Sequence, residues 1–327
     1  MAKYLIRQVL AWLVRIFIAV NLTFFVASAF LDPASNYAER RPPVPPEQIQ
    51  RMLEPYNLST NEPLWHRWWD WLTGIVLHWD WGHSPVGEVV NDQVSFRIGM
   101  SAQLMMGATI VAFVIGVALG VYSAARQYKL GDRVVQLISI VALNTSIVVV
   151  ALVVVYLAIQ INRATGSRIF FVTGAASIDV AGFWPSLVDK AQHLILPSIC
   201  LVFISFAQYA MMQRSLLLDN IAADYVRTAR AKGLPQAKAI RRHALRTSMI
   251  PVMVTFAFSI PAVFTGAMLS ENIFAWNGMG QYMVQTILKN DINGAVAVAA
   301  FSSLMTAIGA VLSDLCVVWL DPRVRVS

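Results

Sequence analysis

The sequence has little charge and few cysteines. Only 13% of its 327 residues are Asp, Glu, Lys or Arg, whereas a soluble globular domain carries roughly 25%. The two cysteines, Cys200 and Cys316, both fall within apolar runs and therefore provide no disulfide framework. No basic tail or basic–aromatic patch suggests nucleic acid as a partner. The net charge of +7 is better explained by cationic loops beside a membrane.

Motifs that carry catalysis are also missing. The chain has no phosphate-binding G-x-x-x-x-G-K-[ST], no G-x-S-x-G and no H-E-x-x-H. His78 and His83 are five residues apart, which does not align them on one helix face, so a metal site is not expected there. Carboxylates near the membrane midplane, which an ion-coupled transporter needs, are not found either. The sequence therefore points to a non-catalytic membrane component whose energy source lies outside this chain.

Long apolar runs are abundant, and six of them approach the roughly 20 residues that cross a bilayer as a helix. We predict spans over Val9 to Phe30, Ile98 to Ala124, Val134 to Ile159, Leu194 to Met212, Met249 to Leu269 and Gly294 to Leu320. The triplet "ASA" at the end of the first run resembles a signal-peptidase site. The length of the run and the presence of Arg15 nevertheless favour a retained first span.

The Lys and Arg residues near the spans predict that both termini are cytoplasmic. We therefore divide the chain into a first span at residues 1–30, an outer Pro- and Trp-rich segment at 31–96, a membrane domain at 97–320 and a cytoplasmic tail at 321–327. The membrane domain includes a basic cytoplasmic loop at 214–248. The outer segment, up to Arg97, holds nine acidic residues against five arginines.

The outer segment is expected to contain two helices. One starts near Pro46, and the other is capped by Thr60 or Asn61 with Pro63 in its first turn. A Trp-rich face recurs at helical spacing along the second helix and comprises Trp65, Trp68, Trp69, Leu72, Ile75, Val76 and Trp79. This face is typical of an interfacial helix that lies on lipid or packs on the bundle; docking of an extracytoplasmic partner is the alternative. A further outer turn at Gly278 and Gly280 precedes another short helix.

The cytoplasmic stretch "DYVRTARAKGLPQAKAIRRHALRT", which begins at Asp224, has its own pattern. Ala222, Tyr225, Val226 and Ala229 form one small apolar side of a helix. Gly233 is placed to end that helix in the left-handed conformation, and Pro235 can start a second short helix. Charge alone fits an inert positive-inside loop. The capped helix and its corner favour a knob that docks in a partner's groove.

Two ionisable residues lie within the spans, Arg15 in the first and Asp314 in the sixth. At about 1.5 Å per residue, both sit roughly 9 Å below the cytoplasmic surface. We hypothesise that they face each other and pair; independent snorkelling of each side chain is the alternative.

The same cytoplasmic stretch resembles the "EAA" loop of ABC-importer permeases. More narrowly, "DYVRTARAKGL" followed by "RHALRTSMIPV" is similar to the B-type permease subunit of oligopeptide, dipeptide and nickel importers. Supporting matches run along nearly the whole chain, among them "WGHSPVGEVV", "ALGVYSAARQYKLGDRVV" and "ENIFAWNGMGQYMVQTI". Of the broad motif only Ala229 and Gly233 are present, and the outer segment is longer than this resemblance leads us to expect.

The resemblance implies an all-α membrane protein with the type I importer permease fold, six transmembrane helices and both termini inside. It implies a multi-pass subunit of the bacterial inner membrane that pairs with a second homologous permease, two ATPase subunits and an extracytoplasmic substrate-binding protein. A peptide would be the substrate, and ATP and Mg²⁺ would bind only to the ATPases. The ATPase-coupling residues would be Ala222, Asp224, Tyr225, Val226, Arg227, Ala229, Gly233 and Leu234.

Other functions remain open at this point. One alternative is a self-contained secondary transporter or channel, and another is a membrane-anchored assembly protein that works through its Trp-rich segment. Within the family, peptide length, nickel, glutathione and other small solutes also stay open as substrates.

Overall fold

A computed structural model describes residues 2–38, 42–177, 180 and 182–320. Within that part of the chain the structure is helical, and the only β-pairing there is an isolated bridge between His83 and Val89. The helices are α1 Ala2–Phe30, α2 Pro46–Leu53, α3 Leu64–His78, α4 Val90–Ala125, α5 Leu130–Asn144, α6 Ile147–Thr165, α7 Phe183–Ile221, α8 Asp224–Ala231, α9 Gln236–Ala239, α10 Leu245–Thr265, α11 Met268–Ile273, α12 Met279–Leu288 and α13 Ile292–Leu320.

Six stretches of the described chain are long and apolar enough to cross a membrane, which confirms the all-α class and the number of spans. They are Arg7–Phe30, Val90–Ala125, Ile147–Thr165, Phe183–Ile221, Gln236–Ile273 and Ile292–Cys316. Several helices extend beyond the apolar runs, since a helix continues into polar residues wherever the chain still packs around it. The direction of the spans and the division of the chain at residues 30, 96 and 320 stay predictions.

The third predicted span, Val134 to Ile159, is wrong as a single helix. The backbone leaves the helical region at Thr145 and Ser146, so α5 ends at Asn144 and α6 begins at Ile147. The side chains of Asn144 and Thr145 donate to the carbonyl oxygens one turn earlier, and Ser146 Oγ accepts from Val148 N at 3.3 Å as an N-cap. Three residues that compete for backbone hydrogen bonds therefore interrupt a run whose hydropathy is continuous.

The chain separates into two compact units. Unit 1 contains the described residues of 1–101, 264–271 and 277–307, and unit 2 contains those of 102–263, 272–276 and 308–327. In unit 1, α1 packs with α2, α3 and the start of α13 around Phe24, Leu53, Trp71 and Ile292. The predicted helices near Pro46 and after Gly278 are confirmed as α2 and α12. The predicted cap of α3 is wrong, because Pro63 occupies the N-cap position and Thr60 and Asn61 lie before it.

In unit 2 the long helix α7 is the centre of packing. The buried side chains of α5 and α6 meet it, and α4 approaches it closely through Gly116 and Gly120. A Cβ atom at Gly116 would stand 2.6 Å from the carbonyl oxygen of Phe206, and one at Gly120 would stand 2.6 Å from that of Ala210. This is the small-x-x-x-small pattern that lets two membrane helices touch along their backbones. It holds α4 and α7 in close contact along this stretch.

Candidate coupling surface

Helix α8, residues Asp224–Ala231, begins and ends by local rules. Asp224 stands in its first turn, where a carboxylate complements the partial positive charge of the helix start. At the other end Gly233 has φ +89°, its N–H donates to Arg230 O at 2.9 Å, and the N–H of Leu234 donates to Ala229 O at 3.2 Å. These two bonds form a Schellman motif. The predicted left-handed termination at Gly233 is confirmed.

From the sequence we expected a separate short helix after Pro235. This prediction is wrong. Helix α9 starts at Gln236, passes through a π-helical turn at Ile240–Ala244 and runs directly into α10. The reason is that nothing between Ala239 and Leu245 breaks the helix. The extra residue is absorbed by the π turn, in which Leu245 N donates to Ile240 O. A displacement at the Gly233 corner is therefore connected through an unbroken helix to a membrane span.

An apolar cluster lies beneath α8. Val226 is 1% exposed and packs with Leu217 of α7, Ala124 of α4, and Ala239 and Ala244 beyond the corner. The half-buried side chains of Ala229 and Leu234 pack against the same cluster. Val226 is thus buried within its own chain and does not offer surface to a partner, which corrects its predicted place on the docking face. Val226 is buried because the small alanines around it leave room for one branched side chain.

The opposite side of α8 is exposed. Ala222, Asp224, Arg227 and Gly233 are all accessible, and Tyr225 is 43% exposed with its hydroxyl donating to Asn220 Oδ1. Arg227 and Asp224 stand 3.7 Å apart as a surface ion pair, which contributes little to stability. The open face of α8 therefore combines one aromatic ring with both signs of charge.

A buried ion pair supports this region from within unit 2. Arg214 of α7 donates to both carboxylate oxygens of Asp132 at the start of α5, at 2.8 and 3.0 Å. The same carboxylate accepts from Ser123 Oγ, from Tyr128 N at 2.9 Å and from Gln136 Nε2 at 2.8 Å. The Arg214 guanidinium and the other donors hold the pKa of Asp132 well below its ordinary value, although burial opposes this. One carboxylate thus joins α4, α5 and α7 beside Ala124 and Leu217.

A second polar contact joins α7 to α10. Gln213 Nε2 donates to Ser248 Oγ at 2.9 Å, and both side chains are fully buried. Ser248 in turn donates to Leu245 O at 3.0 Å, just after the π turn. Because both side chains are buried, the hydrogen bond between them favours one register of α10 against α7.

The predicted intramembrane pair stays a prediction. Arg15 belongs to unit 1, where its guanidinium lies over the ring of Trp12 at 4.8 Å, and Asp314 is a half-buried residue of unit 2. The predicted cytoplasmic tail at 321–327 lies outside the described residues. Over the ranges that the structure describes, no group of three or more His, Cys, Asp or Glu side chains is placed to hold a metal ion.

Sequence reasoning missed several buried carboxylates, among them Asp132 and Glu271. Asp132 was missed because its partner Arg214 is 82 residues away in the chain. Arg214 itself was counted only as one of the positive charges that predict which side of the membrane a loop faces. Glu271 in unit 1 was also missed; its oxygens accept from Ser101 Oγ at 2.6 Å and from Gln281 N at 2.9 Å. No local signal marked either carboxylate, because Asp132 is flanked by Gly131 and Arg133 and Glu271 by Ser270 and Asn272.

The region that contains this surface matches a known protein family. Residues 116–326 match the family model described as "Binding-protein-dependent transport system inner membrane component". The chain is 37% identical to the "Oligopeptide transport system permease protein OppB" of Mycobacterium tuberculosis over the full length of both. It is 29% identical to the "Dipeptide transport system permease protein DppB" of Bacillus subtilis, over 99% of this chain and 98% of that protein. The protein of the same name from Escherichia coli is 28% identical, over 99% of each chain.

Proposed function

Because this chain belongs to the family of binding-protein-dependent transport system inner membrane components, we propose that it is the permease subunit of an ATP-driven peptide importer. The family is one of the bacterial inner membrane, and the six apolar helices agree with a multi-pass protein there. The peptide substrate is supported by the names of the relatives, which are oligopeptide and dipeptide permeases. This chain forms half of the translocation pathway.

The partners follow from that role. A second, homologous permease supplies the other half of the pathway, and a substrate-binding protein delivers the peptide on the extracytoplasmic side. Two ATPase subunits bind ATP and Mg²⁺, and this chain itself holds no cofactor and carries out no catalytic step. The bilayer surrounds the spans.

The observation that carries the proposal is the construction of α8. A short helix with an exposed face is terminated at Gly233 and seated on a buried cluster that joins three other helices. The contact with an ATPase is made by Ala222, Asp224, Tyr225, Arg227 and the Gly233 corner. Val226, Ala229 and Leu234 act from below, by fixing that face to the rest of the chain.

This arrangement transmits movement along two connections. A shift of α8 reaches α7 through the packing of Val226 on Leu217, and it reaches α10 through the continuous helix after Pro235. The Asp132–Arg214 pair then requires α4, α5 and α7 to move together, because separating them would leave a buried charge without a partner. Closure of the ATPases on ATP can thus change the arrangement of the spans.

Co-purification tests the proposal most directly. The tagged chain, isolated in mild detergent from a strain that expresses the neighbouring transport components, is expected to retain a second permease and two ATPase chains. Reconstituted vesicles should then take up peptide only when ATP and the binding protein are present. A homo-oligomer that imports peptide without ATP would contradict the proposal and favour a self-contained transporter.

The coupling role of the corner is tested by Gly233→Pro. Proline requires φ near −65°, whereas Gly233 has φ +89°, and proline also removes the N–H that bonds to Arg230 O. We expect peptide uptake to be abolished while the subunit still inserts and still binds the second permease. Gly166→Pro is the matched control, because Gly166 also ends a helix at positive φ, +66°, with open space around it. Normal uptake by Gly233→Pro would refute the coupling role.

A further inference from the structure

Helix α3 is seated on α1 by one of its sides. Trp71 is 5% exposed and stacks on Phe24 with ring centroids 4.8 Å apart. Trp68 donates from Nε1 to Asn21 Oδ1 at 2.6 Å and stacks on Phe25 at 6.0 Å. These contacts lie in the middle of α3, so the helix as a whole is held against α1.

The level of this contact along α1 is informative. Asn21 precedes Phe30, the last residue of the first span, by nine residues, and Phe24 precedes it by six. At 1.5 Å per residue these positions are about 13 and 9 Å inside the end of the span. The apolar core of a bilayer is about 30 Å thick, so each leaflet contributes about 15 Å. The middle of α3 therefore lies beside the part of α1 that is within one leaflet.

A second side of α3 is apolar and uncovered. Trp65 is 64% exposed, Trp69 55%, Val76 72% and Trp79 68%. Trp65, Trp69 and Val76 share one side of the helix by their spacing of four and seven residues, and Trp79 follows the last helical residue with φ +55°. The exposed polar residues His66 and Asp70 lie on a third side, next to Leu77, which is 71% exposed. On α1 itself the exposed residues near this level are also apolar, namely Leu22, Val26 and Phe30.

We infer that α3 is an interfacial membrane helix, with Trp65, Trp69, Val76 and Trp79 inserted into the leaflet at the C-terminal end of α1. The occupant of this face is lipid, because the face continues the exposed apolar surface of a membrane span at the same level. Tryptophan suits this position, since its ring is apolar and its N–H reaches the headgroup region. His66 and Asp70 face water. The alternative occupant, an extracytoplasmic partner protein, is an outcome of the test below.

Nitroxide labels on adjacent positions separate these environments. The labelled variants are Trp65→Cys and Trp69→Cys, with His66→Cys and Asp70→Cys as matched controls, each in a chain with Cys200→Ala and Cys316→Ala. The complete transporter is reconstituted in vesicles of phosphatidylethanolamine and phosphatidylglycerol. Dissolved oxygen partitions into lipid and a nickel chelate stays in water, so their effects on spin relaxation report the two environments.

We expect oxygen to relax labels at 65 and 69 several-fold more strongly than the nickel chelate does, with the reverse order at 66 and 70. Equal nickel access at all four positions would place the face in water and overturn the inference. Protection of 65 and 69 from both reagents would show a covering protein and would also overturn it. None of these outcomes depends on peptide uptake, so a failure here is distinct from a failure of the proposed function.

Tryptophan fluorescence tests the same inference without introduced cysteines, so its result does not depend on whether the cysteine variants fold. Lipids brominated near the headgroup quench tryptophans that reach the interface. Quenching of the otherwise unchanged transporter should fall when Trp65, Trp69 and Trp79 are replaced together by Phe. Replacement of Trp71 by Phe should leave the quenching nearly unchanged, because Trp71 is buried. Equal quenching before and after the triple replacement would contradict the inference.

Discussion

Helices α8 and α3 have similar sequence patterns, but the apolar side faces the protein interior in α8 and faces partly outward in α3. Each carries apolar side chains at helical spacing next to polar ones, and each could serve as a docking face. In α8 the apolar side is turned inward, so that Val226 is 1% exposed. In α3 a large part of the apolar side is turned outward, and Trp69 is 55% exposed. The same periodicity thus serves attachment in one helix and, by our inference, membrane contact in the other.

The difference follows from what the rest of the chain supplies. Beneath α8, three helices converge, and their residues Ala124, Leu217, Ala239 and Ala244 enclose one branched side chain. Beside α3, one span offers Asn21, Phe24 and Phe25, which can cover only Trp68, Trp71 and their neighbours. Periodicity therefore shows that a helix has an apolar face, and the volume available elsewhere decides whether the chain itself covers it.

Each of the two units also holds a buried carboxylate, and the two carboxylates differ in how many hydrogen bonds they accept. Asp132, near α8, accepts from five donors, whereas Asp291 in unit 1 accepts from Gly294 N at 2.9 Å in a site that is 2% exposed. Burial raises the pKa of Asp291 to about 6, while hydrogen bonding lowers that of Asp132. Burial alone does not set the charge; the number of donors decides it.

The largest effect is expected from Asp132→Ala, which removes the support of α8. Arg214 would lose its carboxylate partner and Ser123 and Gln136 their acceptor, so we expect a loss of about 3–5 kcal/mol in the free energy of unfolding. Thermal unfolding in detergent measures it. Trypsin should also cleave faster at Arg227 and Arg230, because α8 rests on helices that this pair aligns.

Arg133→Ala is the control for that change, since Arg133 is the exposed neighbour of Asp132. Its effect should stay within about 0.5 kcal/mol, as for other surface substitutions. If the two variants unfold at the same temperature and are cleaved at the same rate, the ion pair does not support α8.

A smaller effect is expected when α3 is detached from α1. Trp71→Ala removes a buried ring that stacks on Phe24, and we expect a loss of about 3–4 kcal/mol. Trp69→Ala, on the exposed side, should cost less than about 0.5 kcal/mol in detergent. Chemical unfolding followed by circular dichroism distinguishes the two. Equal losses would mean that the packed and exposed sides of α3 have been assigned wrongly.

Features set by neighbouring residues could be predicted from the sequence. The end of α8 at Gly233 is one, because a glycine after a helical stretch satisfies the last carbonyl groups locally. The end of α1 at Phe30 is another, since Asp32 and Pro33 end the apolar run just after Leu31. The break between Asn144 and Ile147 was missed because three small polar residues hardly change the mean hydropathy of the run.

Features set by distant residues could not be predicted. The burial of Val226 depends on Ala124 and Ala244, which are more than a helix away in the chain. The pairing of Asp132 with Arg214 depends on how α5 meets α7. A single sequence shows that each of these residues is suited to a buried place, but the choice among possible partners is made by packing.

The last prediction concerns the pH dependence of the unit that carries α3. Its expected effect is the smallest, and it is a gain in stability where the earlier variants lose stability. Asp291 precedes α13, whose first residue, Ile292, packs in the same cluster as Trp71. Its pKa is about 6 in the folded protein, against an ordinary value of 3.8. The folded state therefore keeps this proton between those pH values while the unfolded chain has lost it. The associated stability is fully present below about pH 4 and is lost as the pH rises through about 6, a difference of about 3 kcal/mol. For Asp132, whose folded pKa is lowered, stability is instead lost as the pH falls below about 4.

Asp291→Asn should remove the loss between pH 4 and 6, because an amide oxygen still accepts from Gly294 N but carries no charge to bury. We expect the variant to unfold at a higher temperature than the unchanged protein at about pH 7, and at nearly the same temperature at about pH 4. Asp70→Asn is the control, since Asp70 is exposed on the polar side of α3 and should leave the pH profile as it was. A variant at position 291 with the original pH profile would show that Asp291 is charged in the folded protein throughout this range. Burial without a second donor would then be tolerated near α3 as readily as the fully bonded carboxylate is near α8.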